Sequence, residues 1–247
     1  MKNKYSKILV LLTVIVLVLS FVSAEILNKE DNKAKLGNNK ANEPLDKITF
    51  IHYKDGTVKE IGVNRAIVSG GKCYKLLGVK WSSLPVSYVI NPSGYDEIFV
   101  ASNISAAIQT WDDATSKTLF STYSIDPFVI WGIADGKSAY VFGDYPNDNV
   151  IAVTNIWYMR YRMQIVDYDV LFNTRFSWGD AANPLTPSVM DLQNIATHET
   201  GHGVGLADIY TTSCSAVTMY GYSTYGETSK RTLEQPDITG LQKMYGI

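Results

Sequence analysis

Histidine is scarce in this chain, with three among 247 residues, and cysteine is scarcer still, with two. Two cysteines exclude a disulfide-dense scaffold and a thiolate-built zinc cluster; at most one bridge can form. An excess of basic charge is missing too. With Lys2, Lys4 and Lys7 set aside, 19 basic side chains face 24 acidic ones, and from Lys75 onward the balance is 10 against 17. An acidic chain without a basic patch lacks the electrostatic footprint for a phosphate backbone, so nucleic acid is not an expected partner. Long apolar runs are absent beyond residue 24. No later stretch has the length and hydropathy to cross a bilayer.

The one apolar run is at the start. Lys2, Lys4 and Lys7 precede an uncharged stretch from Ile8 to Val22, and Val22-Ser23-Ala24 closes it with small residues, which is the three-part pattern of a signal peptide over residues 1–24. Secretion to the extracellular side is the expectation. The second reading is an uncleaved anchor facing outward, since Ile8 to Ala24 is 17 residues, at the short end of a span. Residues 25–72 read as a pro-segment or linker. Glu25 to Lys47 is rich in Asn, Lys, Glu and Asp, while Ile48 to Tyr53, Asp55-Gly56 and Val58 to Val63 outline a small hairpin with a type I′ turn. Ser69-Gly70-Gly71 then forms a joint, and residues 73–247 form the main domain. That length buries a substantial core unaided.

The chemistry is concentrated in Thr197 to Tyr210, THETGHGVGLADIY. Two histidines at i and i+4 lie on one helix face about a turn apart, so His198 and His202 can reach one cation while Glu199 projects beside them as a general base. Gly203 and Gly205 suit the sharp reversal that ends such a helix and sends back a third ligand. Because the only other histidine, His52, lies far away in the N-terminal region, that ligand is expected to be a carboxylate. Asp208 leads by spacing; Glu227 and Glu234 are the alternatives. Three protein ligands leave a fourth position for water, the open arrangement of a hydrolytic zinc site.

Around this motif the pattern is α/β. Pro85 to Asn91, Ala139 to Tyr145, Val150 to Met159 and Gln164 to Asn173 are strand-like, and Glu97 to Thr115 is helical, with Val100, Ile104, Ala107, Ile108, Trp111 and Ala114 at helical spacing. The motif helix is expected to open at Thr186 as N-cap with Pro187 behind it, and a last helix at Asp237. Internal repeats are lacking.

The run from Lys75 to Ile247 resembles a matrixin, one of the metzincin zinc endopeptidases. Asp191-Leu192-Gln193 leading into Ala196-Thr197-His198-Glu199 resembles the opening of that family's active-site helix, Val217-Thr218-Met219-Tyr220 resembles its Met-turn, and Asp237 to Gly246 resembles its terminal helix. The Trp111 helix and the strand at Pro85 match in order. The resemblance implies an α+β, zincin-like catalytic domain with a twisted, mostly parallel sheet, an active-site helix, a Met-turn and a C-terminal helix. It also implies zinc as cofactor and a protein or peptide as substrate. A Met at 219 then serves as an apolar floor beneath the ligands, and Tyr220 or Tyr222 as a pocket wall or oxyanion support. Gln164 to Asn173 is either an ordinary sheet strand or the strand that pairs with an extended peptide.

Two departures matter. The family usually closes its motif with a third His, whereas this chain has Asp208, as in secreted prokaryotic relatives of the snapalysin type; the site loses one unit of positive charge. The second, structural zinc of animal matrixins needs further histidines and is not expected. Asp144, Asn147, Asp148 and Asn149 offer hard oxygen donors for calcium, although such a run is more often a plain turn. Cys73 is expected to pair with Cys214, since the residues around it do not resemble the family's latency motif and an exported chain meets an oxidising medium. The competing functions are a secreted binding or surface protein that keeps the fold without turnover, and a metal-dependent amidase acting on cell-wall material.

Overall fold

The computed structural model describes residues 43–54 and 69–247. The expected signal peptide and the second arm of the expected hairpin lie outside the described residues. Among the described residues, eleven strands and three α-helices follow one another. They are β1 (Leu45–Tyr53), β2 (Ser69–Gly71), β3 (Tyr74–Leu76), β4 (Lys80–Trp81), β5 (Val86–Asn91), α1 (Glu97–Asp112), β6 (Phe120–Ile125), β7 (Ser138–Gly143), β8 (Val150–Met159), β9 (Gln164–Asn173), β10 (Trp178–Gly179), β11 (Met190–Asp191), α2 (Leu192–Gly203) and α3 (Gln235–Tyr245). The main sheet runs β1-β8-β9-β7-β5-β6, with β4 beside β9. Pairing is parallel from β9 through β7 and β5 to β6, and antiparallel at β1/β8 and β8/β9. The fold is therefore mixed α/β with a mostly parallel sheet.

Strands at the middle of such a sheet are covered on both faces and read as continuous apolar runs. β8 does so: VIAVTNIWYM is buried from Val150 to Tyr158. β9 is equally enclosed, with β8 along one edge and β7 and β4 along the other, so it is an interior strand and offers no edge to a peptide. The first arm of the expected hairpin is real as β1, but its partner is β8, which it follows antiparallel from Leu45 opposite Met159 to Tyr53 opposite Val150.

Two helix starts differ from the sequence-based expectation. Extended pairing of β11 with β10 carries the chain through Asp191, so α2 begins six residues after Thr186. Asp191 caps it, accepting from the Asn194 amide at 2.8 Å, while Thr186 Oγ1 donates to the Asp180 carbonyl in the loop before. Proximity and a carboxylate make the better cap. For α3 the cap is Glu234, and Asp237 is the third helical residue of a capping box. The buried Asp237 carboxylate also accepts from the Thr218 and Met219 amides at 2.9 and 3.2 Å, tying the start of α3 to the Val217–Tyr220 turn. The Cys73–Cys214 disulfide is present and joins the β2–β3 turn to the loop after Asp208. In the chain-entropy model a bridge across 141 residues stabilises by about 5 kcal/mol. The Asp144–Asn149 loop is a plain turn: Arg175 donates to Asp144 and Asp148, each at 2.7 Å, which leaves the calcium expectation unsupported. Among the described residues, no helix is long and apolar enough to cross a membrane.

α1 presents Val100, Ile104, Ala107, Ile108 and Trp111 to the core, and α2 packs against it and across β8 and β9. The contact is close. A Cβ on Gly201 would stand 2.2 Å from Met219 Sδ and 2.7 Å from Trp111 Cζ2. Gly201→Ala should therefore cost about 1–3 kcal/mol through overpacking, visible as a lower urea midpoint; an unchanged midpoint would show that the Met219 floor yields freely. A second prediction concerns Asp169 and Asp167 on β9, which accept from the Gly132 and Gly136 amides and secure the loop ahead of β7. Burial pushes their carboxyls up to about 7 and about 6 from an ordinary 3.8. The folded state thus holds protons that the unfolded chain has lost, so this contribution is complete below about pH 4 and declines as pH rises through about 7. Asp169→Asn should flatten that decline in unfolding free energy measured from about pH 4 to 8; an unaltered slope would refute the assignment.

Candidate metal centre

Eleven of the twelve α2 residues are buried, Gln193 being the exception. Its polar side chains therefore need internal partners. His198 Nδ1 donates to the Thr218 carbonyl at 2.8 Å and His202 Nδ1 to the Leu206 carbonyl at 2.9 Å. Each bond fixes ring orientation and leaves Nε2 as the outward lone pair, the tautomer a metal ligand requires. After α2 the chain reverses at Gly205, whose φ of +105° and whose approach to the Val79 carbonyl, 2.5 Å from any added Cβ, admit only glycine. The reversal brings Asp208 back. Its Oδ1 lies 3.1 Å from His198 Nε2 and 3.4 Å from His202 Nε2, while Oδ2 accepts from the Tyr210 hydroxyl at 2.9 Å.

These three atoms, His198 Nε2, His202 Nε2 and Asp208 Oδ1, are buried and have no hydrogen-bond partner, a costly state for an isolated polar group. They lie within 4.8 Å of one another. Donors bound tetrahedrally at about 2.0–2.1 Å from one ion stand about 3.3–3.4 Å apart, close to the two distances observed. Two neutral imidazoles and one carboxylate fit zinc. Burial drives the His198 imidazole down to about 4, keeping it neutral. Burial opposes ionisation of Asp208 and His202 as well, yet their mutual attraction prevails, holding Asp208 well below the usual carboxylate range and raising His202. Glu227 and Glu234 are elsewhere: Glu227 pairs with Lys230 at 2.9 Å, and Glu234 caps α3.

Glu199 is wholly buried beside the histidines, and burial raises its carboxyl. Oε2 accepts from Thr154 Oγ1 at 2.5 Å, and Oε1 accepts from His52 Nδ1 at 2.8 Å. His52 is the unexpected member. Far off in sequence, it reaches the site on β1, its ring 4.1 Å from that of His198, while Phe50 stacks on His202 at 3.8 Å and 6°. Sequence reasoning also missed Thr154, Tyr210 and the buried Lys230, whose ammonium donates to the Tyr222 carbonyl and Ser223 Oγ at 2.6 Å. Only Tyr210 carried a local signal, two residues after Asp208. Met219 is fully buried against α2, and Tyr220 and Tyr222 form an edge-to-face chain with Tyr210.

No curated protein matches this sequence. The matrixin family model, however, matches residues 80–246, more than half of the chain, and covers α1, α2, α3, the Asp208 loop and the Met219 turn. The chain belongs to the matrixin family of zinc-dependent metalloproteases.

Proposed function

We propose that the protein is a secreted zinc endopeptidase in which His198, His202 and Asp208 hold the metal and Glu199 is the general base. The observation that carries this reading is the set of three buried, unpartnered ligand atoms converging beside a buried glutamate. Zinc bound there would supply Lewis-acid polarisation of a carbonyl and an acidified water. The chain supplies the rest. Glu199 accepts a proton from the attacking water, whose oxygen bonds to the scissile carbonyl carbon, and delivers it to the departing amide nitrogen as the C–N bond breaks. Thr154 fixes the glutamate from the sheet side, the two backbone carbonyls fix the imidazoles, and Tyr210 aims Asp208.

The family shows a metalloprotease, so proteins or peptides are the substrates; export rests on the N-terminal pattern and agrees with the disulfide. Removing the base should leave metal binding intact while abolishing turnover. Glu199→Ala is expected to retain one equivalent of zinc and to lose at least about 10²–10⁴-fold in cleavage of an unstructured protein. Zinc bound by the wild type without any cleavage would favour a cell-wall amidase or a silent binding fold. The ligand set has its own test in chelator competition. Asp208→Ala should weaken zinc binding more than Tyr210→Phe, for which loss of the supporting hydrogen bond costs on the order of 10-fold. Equal affinity of Asp208→Ala and wild type would remove Asp208 from the set.

A further inference from the structure

Basic charge is sparse in the main domain, and half of it is spent on carboxylates. Of the 10 basic side chains from Lys75 onward, Lys137, Arg160, Arg175, Lys230 and Arg231 each lie against an Asp or Glu. Lys80 and Lys243 do not. Both are exposed, and both line one cleft together with Arg162, whereas none of the 17 acidic residues of the same stretch lines it. Lys80 Nζ donates to the Met244 carbonyl at 2.8 Å, and Lys243 Nζ stands 5.3 Å from the centroid of the Tyr74 ring. In an acidic domain, a hollow ringed only by cations is a local preference for an anion.

The inside of the cleft is of another kind. Val79 is buried, Trp81, Met163 and Met244 are half-buried around it, and the space they bound is about 310 Å³. A cavity of roughly 150 Å³ holds benzene, so this one takes an apolar group about twice that size. Methionine side chains and an indole adapt readily to a hydrocarbon tail. A bare phosphate has no use for such a floor, and a neutral hydrocarbon has none for the two ammonium groups.

The cleft backs the turn that returns Asp208. Trp81 Nε1 donates to the Gly203 carbonyl at 2.9 Å, and the Tyr245 hydroxyl joins the Trp81 amide, at 3.2 Å, to the Val204 carbonyl, at 3.0 Å. The Val79 carbonyl and Met244 Sδ lie 2.5 and 3.1 Å from the place of a Cβ on Gly205. Anything seated in the cleft therefore touches the residues against which the Gly203–Gly205 reversal rests.

We infer that this cleft is a binding site for a small apolar-tailed carboxylate of the medium-chain fatty-acid type. Lys80 and Lys243 hold its head, the Val79, Trp81, Met163 and Met244 floor takes its tail, and its occupant steadies the Asp208 turn from behind. The site is separate from the His198–His202–Asp208 cluster, and its existence does not depend on the endopeptidase reading.

The test uses the full chain in zinc-containing buffer, carbon-13 labelled at its six methionine methyls and titrated with decanoate below its micelle concentration. The Met163 and Met244 methyls should shift to saturation, while those of Met190 and Met219, fully buried in the core, stay in place. Decyltrimethylammonium, the same tail with the opposite charge, should bind at least about tenfold more weakly. Lys80→Gln/Lys243→Gln should weaken decanoate binding by a similar factor of about ten, and Lys80→Arg/Lys243→Arg should keep it. The Gly205 and Leu206 amides should exchange at least about threefold more slowly in the saturated protein. Shifts spread over all the methyls, equal binding of the two amphiphiles, undiminished binding by the double glutamine variant, or no binding below the micelle concentration overturns the site. Unchanged exchange at Gly205 and Leu206 overturns its hold on the Asp208 turn. None of these readouts involves cleavage, so failure of the endopeptidase reading leaves them as they are.

Discussion

A helix burying two histidines, a glutamate and three further hydrogen-bonding side chains lies almost wholly inside the protein, and the rest of the structure answers that burden. Each polar group on α2 needs a partner that water cannot supply. Neighbouring elements provide them one by one: the Thr218 and Leu206 carbonyls for the imidazoles, Thr154 for Glu199, Tyr140 for Thr200, and the Lys230 amide for Asn194. Trp111 on α1 donates its indole N–H to the Thr197 carbonyl and fixes the helix lengthwise. Left without a partner in this neighbourhood are His52 Nε2 and the three atoms that converge on one point, His198 Nε2, His202 Nε2 and Asp208 Oδ1.

The Asp237 carboxylate shows how the distant ends of that network are joined. One side chain closes the first turn of α3 and accepts from the amides of Thr218 and Met219, and Thr218 in turn supplies the carbonyl that orients His198. Burial raises its carboxyl, so this junction is sensitive to the company it keeps. Positioning of His198 therefore depends on a helix that contributes no residue to the His198–His202–Asp208 cluster. That is the expected behaviour of a centre whose rigidity is supplied by outer groups.

Much of this was legible beforehand because it is local. The i, i+4 histidines, the glycine reversal and Asp208 sit within fourteen residues, and α1, β8 and β9 announce themselves by period and β-branched content. Thr186-Pro187 imitates a helix opening, while the signal that sets the start of α2, pairing of β11 with β10, is a contact between segments twelve residues apart. β9 was a plausible peptide partner by sequence alone, since a strand's neighbours are not encoded in its alternation. His52 stands far from the motif in sequence, and only the register of β1 on β8 brings it to Glu199. Long-range pairing is what composition and spacing do not express.

The disulfide has a topological consequence. Because it spans Cys73 to Cys214, a backbone break between those positions leaves both fragments covalently joined, whereas a break ahead of Cys73 separates everything upstream. The bridge thus sorts proteolytic nicks into two kinds, those that the folded protein can absorb and those that release a segment. β1 lies on the releasable side, and α2, the Asp208 loop and β8 all lie inside the closed ring. A proteolytic environment would act on such a molecule selectively, trimming its leading portion while the His198–His202–Asp208 cluster stays in one piece.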